Sequence, residues 1–298
     1  LEDPGRDGIA ELMRVSDLVV ATGSGAVVRA AYSSGTPAYG VGQGNAVAIV
    51  AEDADLVEAA EMICASKLFD YATSCSSENA VITVADVYER FMEEMSAHGC
   101  HLVSGADRET LRNHMWKVNA KGKLALNPDV IAKSAQVIAD GAGISVPDGT
   151  DILLVEGREP IADDKFHDEK ISPVLTIYKA ADFQDAYRIL TELTSRVGRG
   201  HSCGIHTWRR DYIDYLGTHM KTSRVTVRQP MSAGNGGHPF NRMPSTATLG
   251  CGTWGGNITT ENVHWKQFIN VTWVNEPVSP WGFTDEEMWG EFWKKHGK

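Results

Sequence analysis

Residues 17–45 read DLVVATGSGAVVRAAYSSGTPAYGVGQGN, and the order of signals in them decides the fold class. A short apolar run at 17–21 stops at Thr22-Gly23-Ser24-Gly25. Helix-compatible residues 26–32 follow, up to the breaker Ser34-Gly35-Thr36-Pro37. Two further apolar pieces, 38–41 and 46–50, are split by Gly42-Gln43-Gly44. Glycines where a strand meets a helix bring together free backbone N–H groups and the positive end of the helix dipole, which suits a pyrophosphate. A plain strand-to-helix turn would look the same on these four residues alone.

The alternation continues outward. Residues 53–69 carry Leu56, Ala59, Ala60 and Ile63 at helical period, and 84–97 repeat it with Val87, Phe91 and Met95. Asn127-Pro128 has the form of a helix start. A turn at 146–150 precedes strand-like 152–155; 182–196 reads as helix, and 202–207 and 224–227 as strands. Residues 231–245, rich in Gly, Asn and Pro, read as a loop. Together these predict an α/β protein with a largely parallel sheet. The chain opens in the turn Asp3-Pro4-Gly5 where a nucleotide-binding domain would open with strands. The expectation is that upstream strands are missing and that the cofactor sheet is incomplete.

Bulk properties exclude several classes. The 298 residues carry a net charge of −11 with no block of Lys and Arg, which argues against nucleic acid as a partner. No run of 18 apolar residues would span a membrane, and residues 1–14 lack the basic start and apolar stretch of a signal peptide. The five cysteines, Cys64, Cys75, Cys100, Cys203 and Cys251, are odd in number, scattered and without a CxxC pair. That pattern predicts free thiols in a reducing compartment, the cytoplasm.

Cys75 lies in FDYATSCSSENAVI, residues 69–82, just past a helix and among small polar residues. A thiol there suits a nucleophile whose thiolate is stabilised by nearby N–H groups, or a partly buried structural cysteine. The segment resembles the nucleophile segment of the CoA-acylating aldehyde dehydrogenases. Residues 19–45 and TLGCGTWGGNITTENV, residues 248–263, resemble the same family, in the same order. The likeness runs from about residue 17 to 270 and takes in the acetaldehyde, succinate-semialdehyde and sulfoacetaldehyde enzymes.

The resemblance implies an aldehyde-dehydrogenase-like fold. Residues 1–45 would end a Rossmann-like cofactor domain, 46–247 would form the catalytic domain, and 248–298 a bridging and oligomerisation segment. It makes Cys75 the nucleophile. Thr22, Gly23, Ser24 and Gly25, with Gly42, would meet NAD or NADP, and Glu169 would hold the nicotinamide ribose hydroxyls, for which a carboxylate is a suitable double acceptor. It also implies a homodimer or homotetramer. Hydrolytic relatives carry a general-base Glu 34 residues ahead of the nucleophile; here that place holds Val41. Poor activation of water leaves the thioester for a thiol, and CoA is the expected acceptor. A hydrolytic enzyme, a phosphate-dependent semialdehyde enzyme and a structural, filament-forming relative are the alternatives.

His201, in GRGHSCGIHT at 198–207, matches a histidine of the bifunctional alcohol/acetaldehyde enzymes, and an imidazole is a natural base near neutral pH. A structural histidine is the bland alternative. His201-x-Cys203-x-x-His206 also has a metal-like spacing, but no further ligand pair follows it. His98-Gly99-Cys100-His101 ends a charged helix and reads as surface. In the loop 228–242, Arg228, His238 and Arg242 are candidates to hold an anionic aldehyde tail, or to make surface ion pairs. The string 250–256 is too glycine-rich for a helix and predicts close backbone packing with Cys251 buried. KQFINVTWV, residues 266–274, is strand-like, and the resemblance suggests a role in subunit pairing. Trp281, Phe283, Trp289, Phe292 and Trp293 predict docking of the tail on the body or on a neighbouring subunit.

Overall fold

The computed structural model describes residues 5–277 and 282–298. The chain divides into two compact units between His264 and Trp265. The first unit begins with α1 (Arg6–Val15), β1 (Val19–Thr22), α2 (Gly25–Tyr32) and β2 (Ala38–Val41). β1 and β2 pair in parallel, Val19 opposite Ala38, with α2 as the crossover. They form a sheet of only two strands, separate from the main one. α1 buries no side chain, and its Ile9, Leu12 and Val15 are exposed. Asp3 and Pro4 lie outside the described residues.

The remainder of this unit is built from β3 (Ala46–Val50), α3 (Leu56–Leu68), β4 (Glu78–Val84), α4 (Tyr88–Ala97), β5 (Cys100–Leu102) and α5 (Gly105–Met115). The hairpin β6 (Trp116–Val118) and β7 (Leu124–Leu126), α6 (Ala135–Ala142), β8 (Ile152–Glu156) and β9 (Val174–Ala180) follow. α7 (Phe183–Arg196), β10 (Cys203–His206), α8 (Arg210–His219), β11 (Val225–Val227) and α9 (Met231–Gly236) complete it. The main sheet has the order β11-β10-β3-β4-β9-β8-β5, and every pairing in it is parallel. Helices cover both faces of such a sheet, so its inner strands carry apolar residues without alternation. β3 and β4 are accordingly buried along their whole length. Ile82, Phe183 and Leu190 belong to the core on one face; Ile63, Val81 and Phe91 belong to the core on the other.

Three local expectations need correction. Asn127-Pro128 opens only a single tight turn (Pro128–Val130), capped by Asn127 on the Asp129 N–H. The helix starts later, where the Ser134 hydroxyl accepts from Val137. Residues 231–245 are not all loop, because α9 forms at their start. Its first N–H groups are met by groups far away in sequence: Met231 donates to Glu78 Oε1 at 3.1 Å and Ser232 to Ser66 Oγ at 2.8 Å. Cys100 is not on the surface: it is buried in β5 with its Sγ 3.5 Å from that of Cys64.

The second unit has a tight turn (Trp265–Phe268) and α10 (Asp285–His296). Thr284 and Glu287 form a reciprocal capping box at the start of α10. Residues 266–274 form no strand here, since a strand needs a neighbour for its N–H and C=O groups. Phe283, Trp289 and Phe292 are exposed, and Trp281 lies outside the described residues. Among the described residues no helix is long and apolar enough to cross a membrane.

Candidate active site

In a parallel sheet all strands start at one edge. Gly44 precedes β3, Cys75 precedes β4, Glu169 precedes β9, His201 precedes β10 and Arg224 precedes β11. The register aligns these starts, with Cys203 opposite both Val47 and Val225, and Ala46 opposite Glu78. Five segments distant in sequence are thereby gathered at the N-terminal edge.

The Cys75 segment is held out of regular structure. After α3, Asp70, Tyr71 and Ala72 take φ values of 48°, 51° and 58°. Left-handed backbone costs each side-chain-bearing residue about 1–3 kcal/mol, so the surrounding packing must impose it. Gly44 lies against the far side of the segment: a Cβ added there would stand 2.2 Å from the Cys75 carbonyl oxygen. Cys75 is partly exposed, whereas the other four cysteines are buried.

His201 is buried, with Nε2 3.2 Å from Cys75 Sγ and Nδ1 2.8 Å from Ser202 Oγ. Burial first, and then the Arg224 guanidinium, hold its pKa down to about 3. The Cys75 thiol is pushed up to about 11, first by burial and then by the Glu169 carboxylate and Cys251. At neutral pH the resting pair is thus a neutral thiol facing a neutral imidazole.

Glu169 is steered by a buried amide pair. Asn79 Nδ2 donates to the Asp168 carbonyl at 3.0 Å, and Asn79 Oδ1 accepts from the Lys170 N–H at 3.2 Å, bracketing Glu169 on both sides. Asn45 Oδ1 accepts from the same Asn79 amide at 2.7 Å. The Glu169 carboxylate accepts from Gln43 Nε2 at 3.0 Å, and burial raises its pKa to about 7. Lys67 and Glu78 flank the Cys75 segment and are both buried; burial brings the former down to about 7 and the latter up to about 7.

Beside Gln43 opens a cleft of about 390 Å³. Gly25, Gly42, Arg29, Arg199, Cys251 and Trp254 are among its lining residues, and no carboxylate is. Gln43 also lines a second cleft of about 280 Å³ with Trp116, Lys165 and Glu169. The first turn of α2 opens without a side-chain cap from Ser24, and Thr22 Oγ1 lies 3.1 Å from Thr248 Oγ1. The glycine string packs as expected: a Cβ on Gly250 would come within 2.3 Å of the Thr259 carbonyl oxygen, and Cys251 is buried.

Of the three candidates for an anionic tail, Arg228 is not brought to the edge that carries Cys75. Arg228 follows the C-terminal end of β11, so β11 separates it from the edge that carries His201 and Cys75. Its guanidinium stacks 3.2 Å from the Trp208 ring centroid. His238 and Arg242 are exposed, with the His238 ring against Phe240 at 4.1 Å. Cys203 and His206 are buried within β10, and Cys203 belongs to the main core. Sequence reasoning passed over Arg224, Gln43, Asn79 and Gly44. Only Gln43 and Gly44 had a visible signal there, as members of the Gly42-Gln43-Gly44 triplet.

The Aldehyde dehydrogenase family profile matches residues 8–241. The chain is 80% identical over 298 residues to the "Sulfoacetaldehyde dehydrogenase (acylating)" of Bilophila wadsworthia (strain 3_1_6), covering 100% of this chain and 64% of that protein. It is 52% identical over 292 residues to the "Sulfoacetaldehyde dehydrogenase" of Acholeplasma sp, covering 98% and 60%. Among solved structures, an acetylating aldehyde dehydrogenase from Geobacillus thermoglucosidasius matches with a TM-score of 0.86 at 32% identity, over 93% of this chain and 61% of that one. The chain thus spans about three fifths of the length of these relatives. With its parallel sheet and the profile match over most of its length, the chain belongs to the aldehyde dehydrogenase family.

Proposed function

We propose that the chain carries the catalytic half of a CoA-acylating aldehyde dehydrogenase whose substrate is sulfoacetaldehyde. The observation that carries this reading is the 3.2 Å contact between His201 Nε2 and Cys75 Sγ. The relatives at 80% and 52% identity, both named for sulfoacetaldehyde, favour that substrate over succinate semialdehyde. Residues 1–45 belong to the cofactor domain, 46–247 to the catalytic domain and 248–298 to the bridging segment.

Cys75 Sγ adds to the aldehyde carbon while its proton passes to His201 Nε2, giving a thiohemiacetal on Cys75. The high thiol pKa makes proton transfer accompany C–S bond formation instead of preceding it. NAD or NADP, when bound, supplies the hydride acceptor, and CoA supplies the thiol that takes the acyl group. The residues present fit such co-substrates: the uncapped start of α2 and the arginine-lined cleft suit phosphates, and Glu169 suits ribose hydroxyls. Loss of hydride leaves an acyl thioester on Cys75. His201 passes the proton taken from Cys75 to solvent, then accepts the proton of the incoming thiol and returns it to Cys75 Sγ, which departs as the leaving group.

Water is a poor competitor because Val41 is apolar and buried, and the carboxylate acting on Cys75, Glu169, is tied to Gln43. The test is product analysis with sulfoacetaldehyde, NAD+ and CoA. The expected product is the acyl-CoA thioester, formed only with CoA present and lost in Cys75→Ala. Free acid appearing at the same rate without CoA would overturn the reading in favour of hydrolysis.

A further inference from the structure

Arg224 stands at the start of β11, buried, and outside the chemistry described so far. Its Nε donates to Asn262 Oδ1 at 2.7 Å. Nη1 donates to the His201 carbonyl at 3.1 Å and to the Gly250 carbonyl at 2.9 Å, and Nη2 to the Thr260 carbonyl at 3.3 Å. All four acceptors are neutral. A guanidinium stays protonated at any working pH, and a buried charge without a counter-ion is costly to keep. Well-packed apolar residues would fill the same volume at lower cost, so the charge calls for a use.

The charged and titratable groups that act on Cys75 come from four elements. Glu169, before β9, and Cys251, in the glycine string, disfavour a thiolate. Arg224 favours it. His201 faces the sulfur directly but is itself kept neutral, in part by the same arginine. In a cysteine–histidine ion pair the imidazolium would balance the thiolate. Here a cation that cannot give up its proton stands behind the histidine and opposes that arrangement.

We propose that Arg224 is a positioning residue for the Cys75–His201 pair, fixing His201 through its backbone carbonyl and adding, beside the transient imidazolium, a permanent positive charge that offsets negative charge on the Cys75 sulfur. No proton moves to or from Arg224. It lowers the cost of negative charge on Sγ both at attack and when Cys75 leaves from the thioester. It also keeps His201 Nε2 free to accept a proton at mildly acidic pH. The inference rests on the functional reading of Cys75 and His201 given above.

The experiment is the pH profile of Cys75 alkylation by iodoacetamide, followed by peptide mass, in three variants. Arg224→Gln removes the charge and part of the hydrogen bonding. Arg224→Lys keeps the charge but reaches fewer acceptors. Asn262→Asp sets a carboxylate against the arginine and gives up the Nδ2 bonds to the Asn235 and Pro244 carbonyls at 3.0 and 2.8 Å, so its folding is checked by melting temperature. The charge proposal expects the midpoint to rise, and alkylation at pH 8 to slow, in Arg224→Gln and Asn262→Asp. Arg224→Lys should keep the wild-type midpoint while losing part of the rate. If Arg224→Gln does not fold, Asn262→Asp decides alone. An unshifted midpoint in Asn262→Asp, or a shift in Arg224→Lys as large as in Arg224→Gln, would leave only a structural role and overturn the proposal. Because alkylation is read without turnover, an active Cys75→Ala enzyme would reject the functional reading separately.

Discussion

Gly44→Ala is the most direct test of how the nucleophile is held. The added Cβ would lie 2.2 Å from the Cys75 carbonyl oxygen, 3.0 Å from its carbonyl carbon and 3.1 Å from its Cβ. Gly44 is not in the left-handed region, so alanine brings no backbone strain of its own, and the whole effect is the collision. An ordinary contact needs about 3.2 Å, so Cys75 must recede by roughly 1 Å, a displacement that costs on the order of 10²-fold in rate when it misaligns reacting groups. Overpacking of this kind typically costs about 1–3 kcal/mol of stability, which leaves most of the protein folded. The assay is kcat/KM for acyl-CoA formation, with the melting temperature measured alongside. The expected result is about a hundredfold loss of kcat/KM, while iodoacetamide, which needs only an accessible sulfur, still labels Cys75 first. Gly217→Ala is the control. Gly217 lies inside α8 with nothing within 4 Å of the added atom, so it should gain about 0.5–1 kcal/mol and keep full activity. Gly44→Ala with kcat/KM within about threefold of wild type would refute the reasoning, because a 1 Å displacement cannot be that mild in a positioned site.

Glu169 should give a pH signature. It becomes a carboxylate only above about 7, so the KM for the nicotinamide cofactor should fall as pH rises through that value, and Glu169→Gln should lack the dependence. The raised pKa also means a contribution to stability that is complete below the ordinary value of 4.5 and lost as pH rises through about 7. Glu169→Gln should therefore gain stability relative to wild type across that window in urea titrations; a constant difference would count against the burial. Arg228→Ala should reduce kcat/KM for sulfoacetaldehyde and acetaldehyde equally, and by less than about threefold, since its guanidinium stacks on Trp208 on the far side of β11. A loss confined to the sulfonated aldehyde would return Arg228 to the substrate site.

Residues 17–50 could be read from sequence because each of their elements is decided within a few positions. Glycines punctuate them, and the apolar runs have strand length. The helical period of α3 and the polar setting of Cys75 are local in the same way. β9 escaped notice although it lies between β4 and β8. Its residues VLTIYKA follow a turn and carry no period of their own, and burial on both faces comes from its neighbours. α9 escaped because Glu78 and Ser66, which accept its first N–H groups, belong to other elements. The tertiary structure alone decided the 3.2 Å contact of Cys75 with His201, the bracketing of Glu169 by Asn79 and the place of Arg224. Loop closure over a hundred residues leaves no local trace, and parallel pairing alone brings the strand starts into line. The same geometry separated Arg228 from the site: four residues of extended chain cover about 13 Å, so neighbours in sequence stand at opposite edges of the sheet. Protonation states were equally out of reach, because the neutral His201 and the high thiol pKa of Cys75 follow from how much water the packed chain excludes.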